Sequence, residues 1–520
     1  MSTILQTDPT GSPDHDRDRS FDDRPRHVAS PQALRLVPAE FAKRHGLLPL
    51  EVRDGTLRVL AAAPLPPEVI EDLRLLSGLE PEETGAPAEE VTDGIAEGYQ
   101  VTVQQMVQDL GPENGARPEG RDLHDIEVMA NEPTVVNLVN VIISTALRER
   151  ASDIHLLPFE SAIQLRYRVD GLLQEKSPPP KPLHSALVSR IKIMADMNIA
   201  ERFLPQDGHI QINHRGARVD IRVGTMPTAH GESVVMRLLE KDARLQQTQE
   251  LGLDAERAAR LQHLVEKPHG LFLTTGPTGS GKTTTLYSIL QGIYTPEKKI
   301  ITIEDPVEYE LAGVAQIPVR PSRGFTFATG LRAILRQDPD VIMVGEIRDV
   351  ETAEIAIRAA LTGHQVFSTL HTNDAPGAVT RLIDMGIEPF LISSSLEGVL
   401  AQRLVRRICP ACRTPATVAP TVREKMEMLS GQPLGGEFWT GAGCAECRGT
   451  GYRGRVGLFE LLVVTGELRE LILQRRSSAE LRTRSRGHMI SLFEDGLRKA
   501  AAGMTSLEEI VRVCSGDVQE

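Results

Sequence analysis

A phosphate-binding loop between a strand and a helix constrains this chain more than any other feature. The apolar residues 271–273 predict a buried strand, and residues 284–290 have the pattern of a helix start. The loop between them consists of Gly276, Pro277, Thr278, Gly279, Ser280, Gly281, Lys282 and Thr283, and Thr284 follows it. Its glycines let consecutive backbone N–H groups turn inward around an anion, and the helix dipole adds partial positive charge. The motif therefore predicts an α/β domain that binds a nucleotide.

Two residues of the loop carry most of the expected chemistry. Lys282 can reach the β- and γ-phosphates, and the hydroxyl of Thr283 can ligate Mg²⁺. A glycine-rich turn that contains a lysine by chance is the alternative. It leaves the strand and helix on either side unexplained, so we expect a nucleotide and Mg²⁺ at this loop.

Length and composition describe an ordinary globular protein of several domains. The 520 residues exceed what one hydrophobic core usually serves, which predicts three or four domains, and 40% are hydrophobic and 25% charged. The formal charge of −13 disfavours non-specific nucleic-acid binding. The sequence has no apolar run of about 18 residues and no signal-peptide pattern. We therefore expect a cytoplasmic protein that reaches a membrane only through a partner.

Four of the five cysteines have metal-ligand spacing. They form two Cys-x-x-Cys pairs separated by 31 residues, and glycines flank the second pair. The pairs are Cys409 with Cys412 and Cys444 with Cys447. Two such turns present four thiolates, which suits tetrahedral Zn²⁺. The alternative is four free or redox-active thiols, while Cys514 is expected to be a small residue on a terminal helix.

Composition shifts and hydrophobic patterns divide the chain into seven segments. A disordered start and a small α/β module precede a linker, a second α+β domain and the nucleotide-binding core, and a four-cysteine element and a helical region follow. The predicted bounds are 1–30, 31–106, 107–125, 126–245, 246–405, 406–460 and 461–520.

Two acidic segments follow apolar strands downstream of the loop. Residues 301–303 lead into Glu304, Asp305 and Glu308, and residues 341–344 lead into Glu346. Hydrolysis requires one carboxylate that orients water and another that holds Mg²⁺. Glu308 and Glu346 are the candidates. Acidic residues that merely cap strands would explain one of the segments but hardly both.

Other charged residues have weaker patterns. His364 and His371 flank a strand, and their spacing alone favours structural histidines over a metal site, because no third ligand is evident. Arginines can stabilise the transition state of phosphoryl transfer. The candidates are Arg222, Arg237, Arg332 and Arg336. From composition alone, all four arginines are expected to be solvated surface residues.

Taken together, these motifs resemble those of the secretion ATPases. The loop, the acidic segments, the Gly-Glu-Ile-Arg-Asp run that starts at Gly345 and the four cysteines are shared with the assembly motors of type II secretion systems and type IV pili. The Ala-Ser-Asp-Ile-His run at 151–155, the Arg-Tyr-Arg-Val-Asp-Gly run at 166–171 and the Pro-Gln-Asp-Gly run at 205–208 match the second N-terminal domain of that family. The resemblance extends over about residues 125–515.

The resemblance implies a fold and roles for single residues. It implies a RecA-like ATPase domain after a PAS-like α+β domain, with ATP, Mg²⁺ and Zn²⁺ as ligands. Glu308 matches the glutamate that activates water, and Glu346 matches the Walker B glutamate near Mg²⁺. His364 and His371 match the histidine box, which replaces the structural interpretation of that pair. Arg222 and Arg237 match arginines that reach the nucleotide from the second domain, Arg332 and Arg336 match a pair near the ring interface, and the cysteines match the zinc element of the assembly motors.

The implied function is a homohexamer that drives pseudopilus assembly in type II secretion, with type IV pilus assembly as the alternative. Its N-terminal module is expected to dock on an inner-membrane platform, which makes membrane contact indirect and requires no nucleic acid. A nucleic-acid translocase, a catalytically silent scaffold and a retraction motor are the rival interpretations. Two residues depart from the family pattern: Leu157 stands where glutamate is common, and His209 where arginine is common. Neither departure affects the expected hydrolysis, but both could change contacts between domains or subunits.

Overall fold

The computed structural model describes residues 29–99 apart from 38, 54 and 96–97, residues 130 and 133–240 apart from 215–216, and residues 251–514. The predicted disordered start lies outside these residues except for its last two, and the predicted linker lies outside them entirely. The described apolar side chains form one core in the N-terminal module, one in the second domain and two in the ATPase core.

The N-terminal module is a three-stranded sheet covered by helices. Strands β1 and β2 are antiparallel, whereas β2 and β3 are parallel because helix α3 crosses between them. Its elements are α1 (Pro31–Leu36), α2 (Ala39–His45), β1 (Leu47–Arg53), β2 (Thr56–Ala61), α3 (Pro67–Ser77) and β3 (Glu80–Gly85), and residues 88–95 are also helical. The small α/β module is therefore confirmed.

The second domain packs two helices against a six-stranded antiparallel sheet with the strand order β6-β5-β4-β9-β8-β7. Its elements are α4 (Pro133–Arg148), β4 (Ala151–Pro158), β5 (Ile163–Val169), β6 (Leu172–Lys176), α5 (His184–Met194), β7 (Gln206–His214), β8 (Ala217–Thr228) and β9 (Gly231–Glu240). Asp170 and Gly171 have φ angles of 48° and 88°, so they form the tight turn between β5 and β6 that an Asp-Gly pair favours. The α+β class is confirmed, and the PAS-like description stays a prediction.

The ATPase core is built on a seven-stranded sheet with the order β12-β11-β13-β14-β10-β15-β18, in which only β18 is antiparallel to its neighbour. The elements up to β15 are α6 (Ala255–Val265), β10 (Gly270–Thr275), α7 (Lys282–Ile293), β11 (Ile300–Glu304), β12 (Val314–Pro318), α8 (Phe327–Ile334), β13 (Val341–Val344), α9 (Val350–Leu361), β14 (Gln365–Leu370), α10 (Ala375–Asp384), α11 (Pro389–Ser395) and β15 (Leu396–Ile408). Alternate residues of a strand belong to different cores: Leu271 and Leu273 face one, and Phe272 faces the other. The inner strands β10, β11, β13 and β14 are buried on both faces, as parallel strands between helices are, whereas the edge strand β12 is partly exposed.

The four-cysteine element is an excursion from this sheet. It contains β16 (Arg413–Pro415), α12 (Pro420–Ser430) and β17 (Trp439–Gly441) and leaves the sheet after β15, and β18 (Tyr452–Val463) returns along β15. The sheet therefore continues into the range predicted for the four-cysteine element. The chain then forms α13 (Gly466–Leu473), α14 (Ser478–Ser485), α15 (Leu492–Ala501) and α16 (Leu507–Cys514). Among the described residues, no helix is long and apolar enough to cross a bilayer.

Candidate active site

The phosphate loop follows β10 and turns directly into α7, as the sequence predicts. Gly276, Gly279 and Gly281 have φ angles of 145°, 78° and 88°, which glycine adopts without strain. A Cβ atom on Gly276 would lie 2.4 Å from the carbonyl oxygen of Gln402, so the close approach of β15 also requires glycine. The hydroxyl of Ser280 is buried in the loop and has no hydrogen-bond partner among the described residues. A phosphate oxygen would satisfy that hydroxyl, so the loop fits its predicted ligand.

Lys282 is the first residue of α7 and is buried beneath the loop. Its Nζ donates hydrogen bonds to the carbonyl oxygens of Gly276 at 2.8 Å and Pro277 at 3.1 Å. The pKa of Lys282 is lowered to about 8, chiefly by burial, with a smaller lowering by the charge of Arg403 and an opposing effect of Glu346. The ammonium is therefore held in place to meet an anion, and its charge depends on pH in an accessible range.

This pKa predicts how the catalytic efficiency changes with pH. Lys282 is protonated below a pKa of about 8 and loses its charge above it, so kcat/KM for ATP should fall about tenfold per pH unit in alkaline solution. The substitution Arg403→Ala should move this fall to higher pH, since it removes a nearby positive charge. Steady-state kinetics of both proteins from about pH 7 to 10 would measure the shift. A flat profile for the wild-type protein would contradict the prediction.

Glu346 follows β13 and lies among cationic and polar groups at the same edge of the sheet. Its carboxylate is 2.5 Å from Nη2 of Arg348 and 3.0 Å from Nε2 of His371. Burial raises the pKa of Glu346, but the hydrogen bonds of Arg348 and His371 outweigh burial and hold the pKa below its usual value. The group is therefore anionic near neutral pH and fits the predicted Mg²⁺ site. Thr283, the other candidate ligand, is the second residue of α7 and is half-buried.

The residue after His371 connects β14 to the phosphate loop. The backbone N–H of Thr372 donates to Oγ1 of Thr275 at 2.9 Å, and the two threonine hydroxyls are 2.7 Å apart. Thr275 is the last residue of β10, immediately before the loop. The end of β14, with His371, is thus held beside the loop, where it can respond to a phosphate.

Glu308 lies at the boundary between the ATPase core and the second domain. Nη2 of Arg222, on β8, is 3.3 Å from Oε2 of Glu308 and donates to the carbonyl oxygen of Val307 at 3.1 Å. The backbone N–H of Glu308 donates to the hydroxyl of Tyr287 at 3.4 Å. The structure therefore brings one predicted arginine of the second domain to the predicted base.

Glu304, the first carboxylate of the same segment, is buried and has a structural role. It accepts hydrogen bonds from the hydroxyls of Tyr287 and Thr302 and from Nε2 of Gln316, the last at 3.2 Å. Burial and Glu304 together raise the pKa of Tyr287, which keeps its hydroxyl protonated as a donor. This network joins α7 to β11 and β12 and positions the backbone that leads to Glu308.

Other predicted residues lie apart from the loop. Arg237 is on β9 and pairs with Asp153 of its own domain at 3.0 Å. His364 precedes β14, at the opposite end of that strand from His371, and its Nδ1 is 3.0 Å from the carbonyl oxygen of Ala359. Their catalytic roles stay predictions.

The helical arginines and the two departures from the family pattern also have local partners. Arg332 pairs with Glu351, and Nη1 of Arg336 donates to the carbonyl oxygen of Arg332 at 2.8 Å. Leu157 is half-buried on β4. Nε2 of His209, on β7, is 3.8 Å from the carboxylate of Asp220. Leu157 and His209 belong to the six-stranded sheet rather than to the phosphate loop.

Sequence reasoning missed Gln402. Its backbone carbonyl lies against Gly276, and its side-chain oxygen accepts a hydrogen bond from Oγ1 of Thr285 at 2.7 Å. Gln402 therefore supports both the loop and α7. No local motif indicates this role, because β15 and β10, which pair with each other, are more than 100 residues apart in the sequence.

The four predicted zinc ligands converge. The Sγ atoms of Cys409, Cys412, Cys444 and Cys447 all lie within 4.8 Å of one another, and three of the separations are 3.9, 3.7 and 3.7 Å. Tetrahedral zinc with bonds of about 2.3 Å requires S–S separations of about 3.8 Å. The backbone N–H groups of Cys444 and Gly451 point at Sγ of Cys447 at 3.1 and 3.2 Å, which stabilises a thiolate. The donor set fits Zn²⁺.

Removal of one ligand should release the metal. The substitution Cys444→Ser is expected to reduce bound zinc from about one ion per chain to a small fraction and to lower the melting temperature, because three thiolates bind less tightly than four. The matched control is Cys514→Ser, which changes a buried cysteine of α16 outside the cluster. Elemental analysis after dialysis is the measurement. Full zinc retention by Cys444→Ser would rule out the four-thiolate site.

Comparisons with known proteins match this architecture. The model of a family described as type II/IV secretion system protein matches residues 129–512, and that of the MshEN domain matches residues 18–104. The type II secretion system protein E of Aeromonas hydrophila is 44% identical over 496 residues, which cover 94% of this chain and 98% of the relative. The chain belongs to the type II/IV secretion system protein family.

Relatives from a secretion system and from a pilus are similar to the chain over comparable lengths. The type II secretion system ATPase E of Vibrio cholerae is 48% identical over 417 residues, covering 79% of this chain and 82% of the relative. The type IV pilus assembly ATPase PilB of Myxococcus xanthus is 44% identical over 491 residues, covering 92% and 86%. Family membership and the phosphate loop make this chain an ATPase.

Solved structures agree with the fold. The pilus retraction motor PilT with bound ADP superposes with a TM-score of 0.50 at 28% identity, covering 72% of this chain and 95% of PilT. The Legionella pneumophila ATPase DotB has a TM-score of 0.54 at 22% identity and covers 73% of this chain and 96% of DotB, which supports the fold alone. The α/β ATPase class is thereby confirmed.

Proposed function

We propose that this ATPase forms a hexamer that couples ATP hydrolysis to pseudopilus assembly in type II protein secretion. The contact of Arg222 with Glu308 carries the proposal, because it places a residue of the second domain beside the candidate base. Movement of that domain would then change the hydrolytic site directly. The type II secretion names of the Aeromonas and Vibrio relatives support this machine over others.

Different residues of the site would bind the phosphates, hold Mg²⁺ and activate the attacking water. The loop N–H groups and the charged Lys282 bind the phosphates, and Lys282 opposes the negative charge that develops during transfer. Glu346 and Thr283 would hold Mg²⁺, which neutralises phosphate oxygens when it is bound. Glu308 orients the attacking water and accepts its proton.

Domain closure would supply the remaining positive charge. Arg222 pairs with Glu308 in this structure and could turn from that carboxylate to a phosphate when the second domain moves. Arg237 would have to leave Asp153 to do the same. Sequential closure of subunits around a ring would convert these exchanges into mechanical work on a membrane platform.

The substitution Glu308→Gln tests the base. It keeps the shape of the side chain but removes the proton acceptor, so kcat should fall about 10²- to 10⁴-fold while the Kd for ATP changes little. The control is Glu310→Gln, which neutralises an exposed carboxylate two residues away. Phosphate release and equilibrium nucleotide binding are the measurements. Wild-type turnover by Glu308→Gln would remove Glu308 from the base role.

Type IV pilus assembly is the second candidate, and the identity to the Myxococcus pilus ATPase favours it specifically. Deletion of the gene in its own host should distinguish the two machines. Loss of proteins from the culture medium with normal pili would support secretion, and loss of pili with normal secretion would support the alternative. Complementation with Lys282→Ala should fail in either case.

The expected partners follow from the same proposal. The N-terminal module would bind an inner-membrane platform protein, so the ATPase would work at the cytoplasmic face of that membrane. The four-cysteine element favours an assembly motor over a retraction motor, because the resemblance associates that element with assembly. Since the chain has a formal charge of −13, we expect DNA and RNA to leave its ATPase rate unchanged.

A further inference from the structure

The four-cysteine element contacts the second domain of the same chain. Nη2 of Arg448, the residue after the ligand Cys447, donates to the carbonyl oxygen of Arg148 at 2.6 Å. The backbone N–H of Gly454 donates to Oδ2 of Asp170 at 3.0 Å. Both bonds join groups about 300 residues apart in sequence, so they connect two separately folded domains.

The ATPase side of this contact depends on special backbone geometry. The pairing of β15 with β18 shifts register between Arg406 and Ile408, so that Gly454 lies in a bulge. Gly454 has a φ angle of 77°, and its N–H turns out of the ladder toward Asp170. Bulges commonly redirect a group toward a partner. The outward N–H is therefore available for a contact with another domain.

The metal ligands shape the turn that carries the other donor. Arg448 and Gly449 have φ angles of 53° and 77°, and the N–H groups of Cys444 and Gly451 close the turn around Sγ of Cys447. Since the cysteines converge in the geometry of a zinc site, metal coordination would fix this turn and hold Arg448 against Arg148.

The surface of the second domain that takes part in this contact also has a defined backbone geometry. Asp170 is in the tight turn between β5 and β6 and has a φ angle of 48°. Between the two surfaces is a small cavity of about 170 Å³, and Cys447, Arg150 and Arg453 are among its lining residues. Two hydrogen bonds beside a cavity are not the large hydrophobic interface that locks two domains together, so this contact can form and break.

This contact and the ion pair of Arg222 attach the second domain at separate places. Asp170 joins β5 to β6 at one edge of the six-stranded sheet, whereas Arg222 is on β8, next to the opposite edge. Two separated attachments fix the orientation of a rigid domain, and one attachment leaves it free to pivot.

We propose that the metal-bound turn around Arg448, together with the Gly454 bulge, is an interdomain clasp for the turn at Asp170. The clasp orients the second domain on the ATPase core and thereby sets the position of Arg222 relative to Glu308. It gives the zinc element a role beyond its own folding, because the loss of metal would release a different domain. This inference does not depend on the identity of the machine that the ATPase drives.

Hydrogen exchange of the full-length, zinc-loaded protein tests the clasp. The substitution Asp170→Gly removes the carboxylate and keeps a residue that adopts positive φ, so the turn should still form. Exchange of the Gly454 amide should then accelerate about tenfold, the change expected when one hydrogen bond of ordinary strength is lost. Asp170→Asn keeps an acceptor oxygen and should restore slow exchange.

Two further experiments distinguish an interdomain clasp from a structural change confined to the four-cysteine element. Arg423→Ala removes a charge pair with Glu427 on α12 of the same element, away from the contact, and should leave the Gly454 amide unchanged. A zinc chelator should accelerate exchange in residues 166–174 of the second domain as well as in the turn. Unchanged exchange at Gly454 in Asp170→Gly, with normal zinc content, would overturn the proposal. So would a chelator effect confined to the four-cysteine element.

Discussion

The substitution Lys282→Ala is expected to reduce ATP turnover by about 10³-fold or more. The side chain is buried at the base of the loop, and it is the cation that we expect to meet the transferred phosphate. Removal of a single donor to developing charge typically lowers kcat by about 10²- to 10³-fold, and here a full positive charge is lost with the donor. Steady-state phosphate release measures the change directly.

Stability distinguishes this loss from misfolding. Burial disfavours the charged form of Lys282, as its lowered pKa of about 8 indicates, so alanine should leave the melting temperature unchanged or raise it. The control is Lys425→Ala, which removes an exposed lysine of α12. Turnover near the wild-type rate in Lys282→Ala would contradict the proposed site, and a large fall in melting temperature would assign the lysine a structural role.

The substitution Asp495→Ala is expected to destabilise the ATPase core by about 3–5 kcal/mol. The carboxylate is almost fully buried and accepts hydrogen bonds from Arg257, from Nζ of Lys499 at 2.6 Å and from the N–H of Phe459 at 2.9 Å. Without it, buried Lys499 loses the carboxylate that it pairs with and buried Arg257 keeps only Asp254, and removing one partner is the costly way to break a buried ion pair. Burial lowers the pKa of Lys499 and Asp495 opposes this effect, so alanine should lower that pKa further.

Calorimetry of the full chain provides the measurement. A loss of 3–5 kcal/mol corresponds to a fall of roughly 6–20 °C in the melting temperature of a domain of this size. The matched control is Asp254→Ala, which removes another carboxylate that bonds Arg257 but is 41% exposed. Loss of this N-cap should destabilise by only about 1 kcal/mol. Equal shifts for the two variants would show that Asp495 does not hold the buried cations.

Local sequence patterns were sufficient wherever one continuous segment determines the structure. The phosphate loop lies between β10 and α7 as predicted, because strand, glycines and helix are consecutive and the glycines are required by their φ angles. The turn at Asp170 and Gly171 likewise depends on two consecutive residues that adopt positive φ angles. The cysteine spacing likewise indicated a cluster, since each pair forms its own turn.

Residues whose environment comes from distant segments were harder to place. The two predicted histidines flank β14 as expected, but the sequence did not show that His371 pairs with Glu346 whereas His364 contacts the carbonyl oxygen of Ala359. Arg222 and Arg237 occupy adjacent strands, yet Arg222 pairs with Glu308 and Arg237 with Asp153. The acidic segment contains both the buried Glu304 and the half-buried Glu308, and only the packing of Tyr287 and Gln316 separates their roles.

The sequence by itself determined the phosphate-binding loop and the cluster of four cysteines, and it named Glu346 and Glu308 as candidates for the metal and the water. Each of these depends on residues close together in the chain, so short-range geometry specifies them. Only the tertiary structure decided that Gln402 supports the loop, that Arg222 reaches Glu308, and that the four-cysteine element contacts the turn at Asp170. These contacts join segments about 85 to 300 residues apart, and pairing at such distances depends on the packing of whole sheets and domains, which no local pattern records.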